Sequence, residues 1–316
     1  MYNTFKKISP LLSIGAAMLV DRLIPLSPKQ PASNGPCFFY LLCILGVLSL
    51  LILAVSFFNE RISEKLVSSG PVFAGGILVL NIVNIVCGKF ALLPVLFFPS
   101  LDRIFEVFIN DRELLGECVL SSFKLLLYGY AIGGSLGLLT GILIGFNKTF
   151  SYWMDPFTKI IGPIPPTSWS PLVLSLFSTS YQAAIFMITL SVWFPITIMT
   201  SNGIRNISQA YFEVADTFGA KKLYKILHVG IPAALPSVFL GLFYATTGSF
   251  VTLITAEMFG CKLGIGWYLN WQKSMMLYAN VYAGLILLAL LCNIALKFLF
   301  VFREKALNWQ KGVIKW

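Results

Sequence analysis

Charge is what this chain has least of. Asp, Glu, Lys and Arg make up 11% of its 316 residues, against about a quarter in a soluble globular domain. With 57% of residues hydrophobic and a mean hydropathy of +0.82, a water-soluble fold is excluded. A single histidine, His228, argues against a histidine-based metal site. The six cysteines, Cys37, Cys43, Cys87, Cys118, Cys261 and Cys292, lie mostly within apolar runs and form no CxxC pair. They read as small buried hydrophobes, with disulfides or metal binding disfavoured. Clusters of ionisable residues at one membrane depth are missing as well, which argues against an integral-membrane enzyme.

In place of charge there are long apolar runs, several exceeding the ~18 residues that mark a transmembrane helix. The net charge of +10 is dispersed among loops and the C-terminal end, a distribution that membrane orientation explains and nucleic-acid binding does not. The fold class is therefore all-α and polytopic. Spans are expected at 37–58, 71–98, 121–146, 181–202, 235–256 and 281–302. Residues 8–26 are a further, weaker apolar segment interrupted by Asp21 and Arg22. It either inserts, forming a hairpin with 37–58, or lies on the surface. A signal peptide is disfavoured because no small-residue cleavage pattern follows cleanly. A charged patch, Glu60 to Lys65, is expected to close the 37–58 segment. Residues 99–118, with mixed charges from Asp102 to Glu117, read as an amphipathic helix in contact with water.

Three stretches stand out within this scaffold. Gly133, Gly137, Gly141 and Gly145 recur at four-residue intervals, leaving one helix stripe bare so that another helix can approach closely. A packing role is preferred to a pore-lining one. Five prolines between Pro156 and Pro171 are too many for one straight helix. Broken helices in membranes occur where they face a cavity or protein neighbours, so Pro165, Pro166, Thr167 and Trp169 are candidates to line a path; a kinked helix packed on its neighbours is the competing reading. Glu257 ends an apolar helix rich in Ser, Thr and Gly. An acid so near the membrane is either functional, and then a further candidate for the path, or solvated at the interface. The segment after it, to Ala279, reads as a loop with Trp267 and Trp271 at headgroup depth.

The polar interruption at 204–232 is the most informative. From Ser208 the apolar positions Tyr211, Phe212, Ala215 and Phe218 recur at helical spacing beside Glu213 and Asp216, predicting a short amphipathic helix. Gly219 suits the positive φ of a helix C-terminus. A second amphipathic turn follows from Lys221 to His228, and Pro232 is suited to open the next membrane helix. The choice lies between a solvated loop with an interfacial helix and a docking helix for a partner protein.

Glu213-Val214-Ala215, Gly219, and Val229-Gly230-Ile231-Pro232 resemble the EAA signature of ABC importer permeases, with Val214 in place of the first alanine and Val229 and Ile231 in place of the isoleucine and leucine. Much of 94–311 is similar to the nitrate/sulfonate/taurine type of such permeases. The supporting residues are Leu93-Pro94, Phe98-Pro99-Ser100, Asp155-Pro156, Ile164-Pro165-Pro166, Trp169, Pro171, Thr255-Ala256-Glu257-Met258 and Gly264-Ile265-Gly266. The resemblance implies a six-helix permease domain over 71–316, preceded by an N-terminal extension, 1–70, with one or two extra hydrophobic helices. It implies that Glu213, Val214, Ala215, Asp216, Gly219, Ile231 and Pro232 belong to a cytoplasmic coupling loop seated on a separate ATPase. The implied partners are a second permease subunit, two ATPases holding ATP and Mg, and an extracytoplasmic solute-binding protein. This chain itself has no P-loop, since Asn147 stands where glycine must precede Lys148, and it is expected to bind no cofactor. The implied location is a bacterial-type cytoplasmic membrane, with Arg303, Lys305, Lys311 and Lys315 keeping the C-terminus inside. An ATP-independent transporter or channel is the other class open to such a chain.

Overall fold

The computed structural model describes residues 2–33 and 35–309, so Lys311 and Lys315 lie outside the described residues. Among the described residues there are helices and no strand, and six helices are long and apolar enough to cross a membrane. The chain forms two compact units, residues 1–113 with 271–283, and 114–270 with 284–316.

In the first unit, α1 (Tyr2–Leu23), α2 (Cys37–Ser56) and α3 (Glu60–Val83) pack together, with a π-helical turn, Asn84–Lys89, continuing α3. The α3 helix starts eleven residues before Pro71, at Glu60, because Asn59 caps it: the Asn59 side chain accepts from Arg61 N at 3.1 Å. The charged patch Glu60–Lys65 is thus the first turn of a span and not the end of the previous one, and residue 70 lies inside a continuous helix. Pro71 is accommodated within that helix.

The α1 helix lies lengthwise on α3. Gly70 faces the carbonyl of Lys6, and Asp21 meets Lys89 at the other end, so the two helices run parallel. The Lys89 Nζ–Asp21 Oδ1 pair, 2.8 Å apart with side chains 3% and 6% exposed, is sealed from solvent. Lys89 Nζ also donates to the Asp21 carbonyl and Asn84 Nδ2 to Asp21 Oδ1, both at 3.0 Å. A buried pair needs such additional bonds to offset its desolvation. They explain how Asp21, which breaks the apolar run, is tolerated.

Helix α4 (Leu101–Asn110) is amphipathic as expected, burying Leu101, Ile104 and Val107 on one face, but it does not run on to 118, since α5 already begins at Arg112. Asp102 is buried and accepts from Phe38 N at 2.9 Å, placing a carboxylate at the N-terminus of α2, where free amides and the helix dipole favour it.

The second unit is built on α5 (Arg112–Phe146), α8 (Ser180–Arg205) and α11 (Ile231–Met258). Along α5, Gly129, Gly133, Gly137, Gly141 and Gly145 each meet, in order, Ile188, Val192, Ile196, Thr200 and Ile204 of α8. Both series advance by four residues in the same direction, so the helices are parallel, and ridges of one fill the bare groove of the other. Thr197 Oγ1 donates to the Gly137 carbonyl at 3.3 Å across this contact. Two parallel spans require the chain to cross back between them. The return is made by α6 (Lys148–Ile161), a 3₁₀ turn (Pro166–Trp169) and α7 (Ser170–Leu176). Against α11, α8 runs antiparallel: Gly203 meets Ser237, and Gly241 meets Ile196 and Met199. The core lies where these helices meet, around Ile188, Val192, Ile196, Ala245 and Leu253.

Two further boundaries differ from the sequence reading. The helix before Pro232 starts at Lys222, in a short turn α10 (Lys222–Tyr224) followed by a π-helical segment, Lys225–Gly230. Pro232 lacks the amide that would bond back to residue 228, and the wider turn sits at the point where that bond is missing. The segment after Glu257 is also no open loop, since α12 (Ile265–Ser274) forms within it, with Tyr268 buried. The last span is α13 (Tyr278–Ala306).

Candidate coupling foot and translocation cleft

Just after α8 the chain forms α9 (Gln209–Thr217), a helix with no buried residue. Its end is a glycine cap. Gly219 has φ +71°, its amide donates to the Asp216 carbonyl at 2.9 Å, and Ala220 N reaches back to the Ala215 carbonyl at 3.0 Å. The bond from residue 220 to 215 is the six-to-one bond of a Schellman cap, which needs a left-handed residue at position 219. Asp216 then pairs with Lys225 at 2.6 Å across the turn. Phe212 is half-buried and packs edge-on against Phe146 at 6.3 Å, anchoring α9 to the end of α5.

The rest of the helix is offered outward. Tyr211, Val214 and Phe218 are 64%, 57% and 85% exposed, Glu213 and Asp216 lie beside them in the open, and Ala215 is half-buried. Ile231 and Pro232 are half-buried at the start of α11. Tyr211, Val214 and Phe218 thus form an exposed apolar surface beside two acidic side chains.

The second feature is a cleft of about 360 Å³ where the return segment breaks. Pro165, Pro166, Thr167 and Trp169 line it from one side, Trp193 and Phe194 of α8 and Tyr244 of α11 from others. Its lining contains hydroxyls and rings and no charged side chain. A larger cavity, about 590 Å³, lies between α5, α11 and α13. Leu126, Phe250, Leu291 and Phe298 are among its walls, a surface suited to hydrocarbon and poor for a polar solute.

Glu257 is not in the cleft, and it is not solvated. It is fully buried, with Oε1 accepting from Ser122 Oγ at 2.6 Å and Oε2 from Gly266 N at 2.7 Å. The Ser122 hydroxyl in turn accepts from Ile265 N at 2.9 Å. The carboxylate therefore caps the N-terminus of α12, where unsatisfied amides attract it. Nearby Cys261 has its thiol pushed up to about 11, by burial first and by the Glu257 charge second, which holds it as an inert thiol.

Sequence reasoning missed the parts played by five residues. Trp193, Phe194 and Tyr244 line the cleft because of how α8 and α11 rotate into it, which apolar periodicity alone does not reveal. The partner of Glu257, Ser122, stands far from it in the chain. Arg205, at the end of α8, donates from Nη2 to Asp155 Oδ2 at 2.8 Å and to Ser151 Oγ at 2.7 Å, tying α8 to α6.

Six helices of membrane-spanning length, close α5–α8 packing, a broken return segment and an exposed helix after α8 describe a polytopic membrane subunit. The model of the binding-protein-dependent transport system inner membrane component matches residues 133–308, and the chain belongs to that family, the permease subunits of ABC importers. Over 208 residues it is 31% identical to SsuC of Bacillus subtilis, whose name points to aliphatic sulfonates transport; the match covers 66% of this chain and 75% of SsuC. It is 32% identical over 196 residues to the nitrate import permease protein NrtB of Leptolyngbya laminosa, covering 59% and 70%. It is also 32% identical over 197 residues to the bicarbonate transport system permease protein CmpB of Synechococcus elongatus, covering 62% and 67%. Among solved structures, an inward-facing MetNI methionine ABC transporter chain superposes with a TM-score of 0.50 at 20% identity, over 62% of this chain and 98% of that one. That likeness concerns the fold alone.

Proposed function

We propose that this permease subunit forms the translocation pathway of an importer for a small solute and takes its energy from a separate cytoplasmic ATPase docked on α9. The observation that carries the reading is the foot itself: Tyr211, Val214 and Phe218 exposed on a helix capped at Gly219 and placed directly after α8. Ala215 keeps the docking surface low. Glu213 and Asp216 give it charge, and Ile231 with Pro232 joins it to α11. ATP and Mg would reside in the ATPase, with none bound by this chain.

The return segment around Pro165, Pro166, Thr167 and Trp169 is the proposed path, because freed backbone groups at membrane depth are tolerated where they border a cavity. Relatives named for sulfonates, nitrate and bicarbonate favour a small anion. In a lining without charge, neutral hydroxyl and indole donors would guide such an anion without holding it. Two copies would enclose the path, with a binding protein delivering solute from outside the cytoplasmic membrane. Arg303 and Lys305 at the end of α13 favour a cytoplasmic C-terminus under the positive-inside rule. The same rule sets Lys6 and Lys7 on the side of Arg61 and Lys65, as the parallel α1 and α3 require. Within residues 1–70, α1 and α2 then make an accessory hairpin.

Closure of the ATPases moves the solute gate only if α9 contacts their two states differently. The test is co-purification of the ATPase with the wild-type chain and with Ala215→Glu. The variant is expected to insert normally and to lose the ATPase; equal recovery of ATPase with both would refute the docking site.

A further inference from the structure

We infer that Asp155, Ser151 and Arg205 form a strut that makes α6 and the coupling helix α9 move as one body, so that displacement of the foot reaches the cleft through α6. The inference rests on the coupling role proposed for α9 and adds the route by which its motion arrives.

Three observations carry it. The first is placement. Arg205 is the last residue of α8, at the root of α9, whereas α6 runs from Lys148 into the cleft wall, where Ile161 and Gly162 are lining residues. The second is geometry. Arg205 Nη2 donates to both Asp155 Oδ2 and Ser151 Oγ, and Ser151 Oγ donates to Asp155 Oδ2 at 3.2 Å. Ser151 and Asp155 are four residues apart and so share one face of α6. The resulting closed triangle fixes direction as well as distance, which a single flexible ion pair does not. The third is a second attachment further along the same helix, where the Phe157 ring packs against Trp193 of α8 at 6.4 Å. Held at two levels, α6 cannot pivot on α8 about either one alone.

With side chains 38% and 25% exposed, the pair adds little stability, since ion pairs in contact with water rarely do. Positioning is the role left to it. Arg205 and Asp155 are positioning residues, touching neither solute nor ATPase in this account.

The test uses the permease assembled with its ATPase, carrying spin labels in pairs on substituted cysteines. Labels at Gln209 and Lys159 report the spacing of α9 and α6; labels at Gln209 and Lys262 report movement of the foot relative to the far end of α11. Dipolar distances are measured without nucleotide and with Mg-ATP and vanadate. The 209–262 distance is expected to change, while the 209–159 distance keeps one unchanged peak. Arg205→Gln and Asp155→Asn are each expected to lose that single peak, and the reversed pair, Arg205→Asp with Asp155→Arg, to restore it. A 209–159 distance that shifts in the wild type, or that is indifferent to the single substitutions, overturns the strut while leaving coupling intact. A 209–262 distance that never changes overturns the coupling role, and the strut with it.

Discussion

Ser122 and Glu257 are joined by a 2.6 Å hydrogen bond in a site closed to solvent, although 134 residues separate them in the chain. Ser122 sits on α5 and Glu257 at the end of α11, so the bond ties two spans to the start of α12, whose first amides complete the site. The hydroxyl cannot be removed without leaving a buried carboxyl group short of a donor.

Ser122→Ala should therefore destabilise the chain by roughly 1.5–3 kcal/mol, the range for hydrogen bonds to charged groups. Thermal unfolding in detergent, followed by tryptophan fluorescence, measures it. Ser135→Ala is the control, since Ser135 is exposed and bonds within its own helix, to the Ala131 carbonyl. Equal melting of both variants would show that the buried bond contributes nothing.

The glycine stripe on α5 gives a sharper contrast. A Cβ at Gly133 would lie 2.6 Å from the Thr189 carbonyl, and one at Gly141 would lie 2.6 Å from Thr200 Cβ. Gly133→Val and Gly141→Val should force α5 from α8, at a cost of about 1–3 kcal/mol or more for overpacking, and lower the yield of folded protein. Gly116→Ala meets nothing within 4 Å and should be neutral. Size-exclusion profiles of the three variants decide the matter, and equal monodisperse yields would contradict the packing.

At Gly219 the constraint is backbone conformation. The site is open, with nothing near a Cβ, yet φ is +71°. Gly219→Val should cost ~1–2 kcal/mol locally and unwind the end of α9 while the spans stay folded. ATPase binding should fall several-fold with the melting temperature nearly unchanged; a variant that melts early but still binds ATPase fully would show that the cap serves stability instead.

Asp102 supplies a pH test outside the membrane spans. Burial raises its carboxyl above the ordinary 3.8, and the amide of Phe38 offsets only part of the rise. The folded state then binds a proton more tightly than the unfolded one. Its contribution is most favourable below the unfolded value and is lost as pH rises through the raised folded value. Asp102→Asn keeps an acceptor for Phe38 N and removes the titration. The stability of wild type relative to this variant should decline from acid toward neutral pH in denaturant titrations; a constant difference would remove burial as the cause.

Much of this was legible in the sequence because membranes simplify the problem. Apolar length alone locates spans, four-residue glycine spacing marks a helix contact, and Gly219 after an amphipathic turn marks a cap. The errors arose where a polar residue was judged by its neighbours in the chain. Asp102 sits among other charges and looked solvated, yet it caps a helix more than sixty residues away. Glu257 read either as a path residue or as solvated at the interface, yet it is buried with partners from α5 and α12. The Thr255–Met258 and Gly264–Gly266 motifs are two sides of one contact: a Cβ at Gly264 would fall within 2.5 Å of Glu257 Oε1, and one at Gly266 within 2.5 Å of the Ile254 carbonyl. Sequence displays both motifs, but only the fold shows that they touch. The cleft was half visible, since prolines announce a break while the facing rings depend on helix rotation.

The most direct test of the account places a photo-crosslinking amino acid at Val214 in cells making the complete transporter. The α9 surface is predicted to crosslink to the ATPase subunit, with a control at exposed Lys262 giving no such adduct. A Val214 probe that reaches only lipid or extracytoplasmic protein would contradict the proposal that this foot is where energy enters.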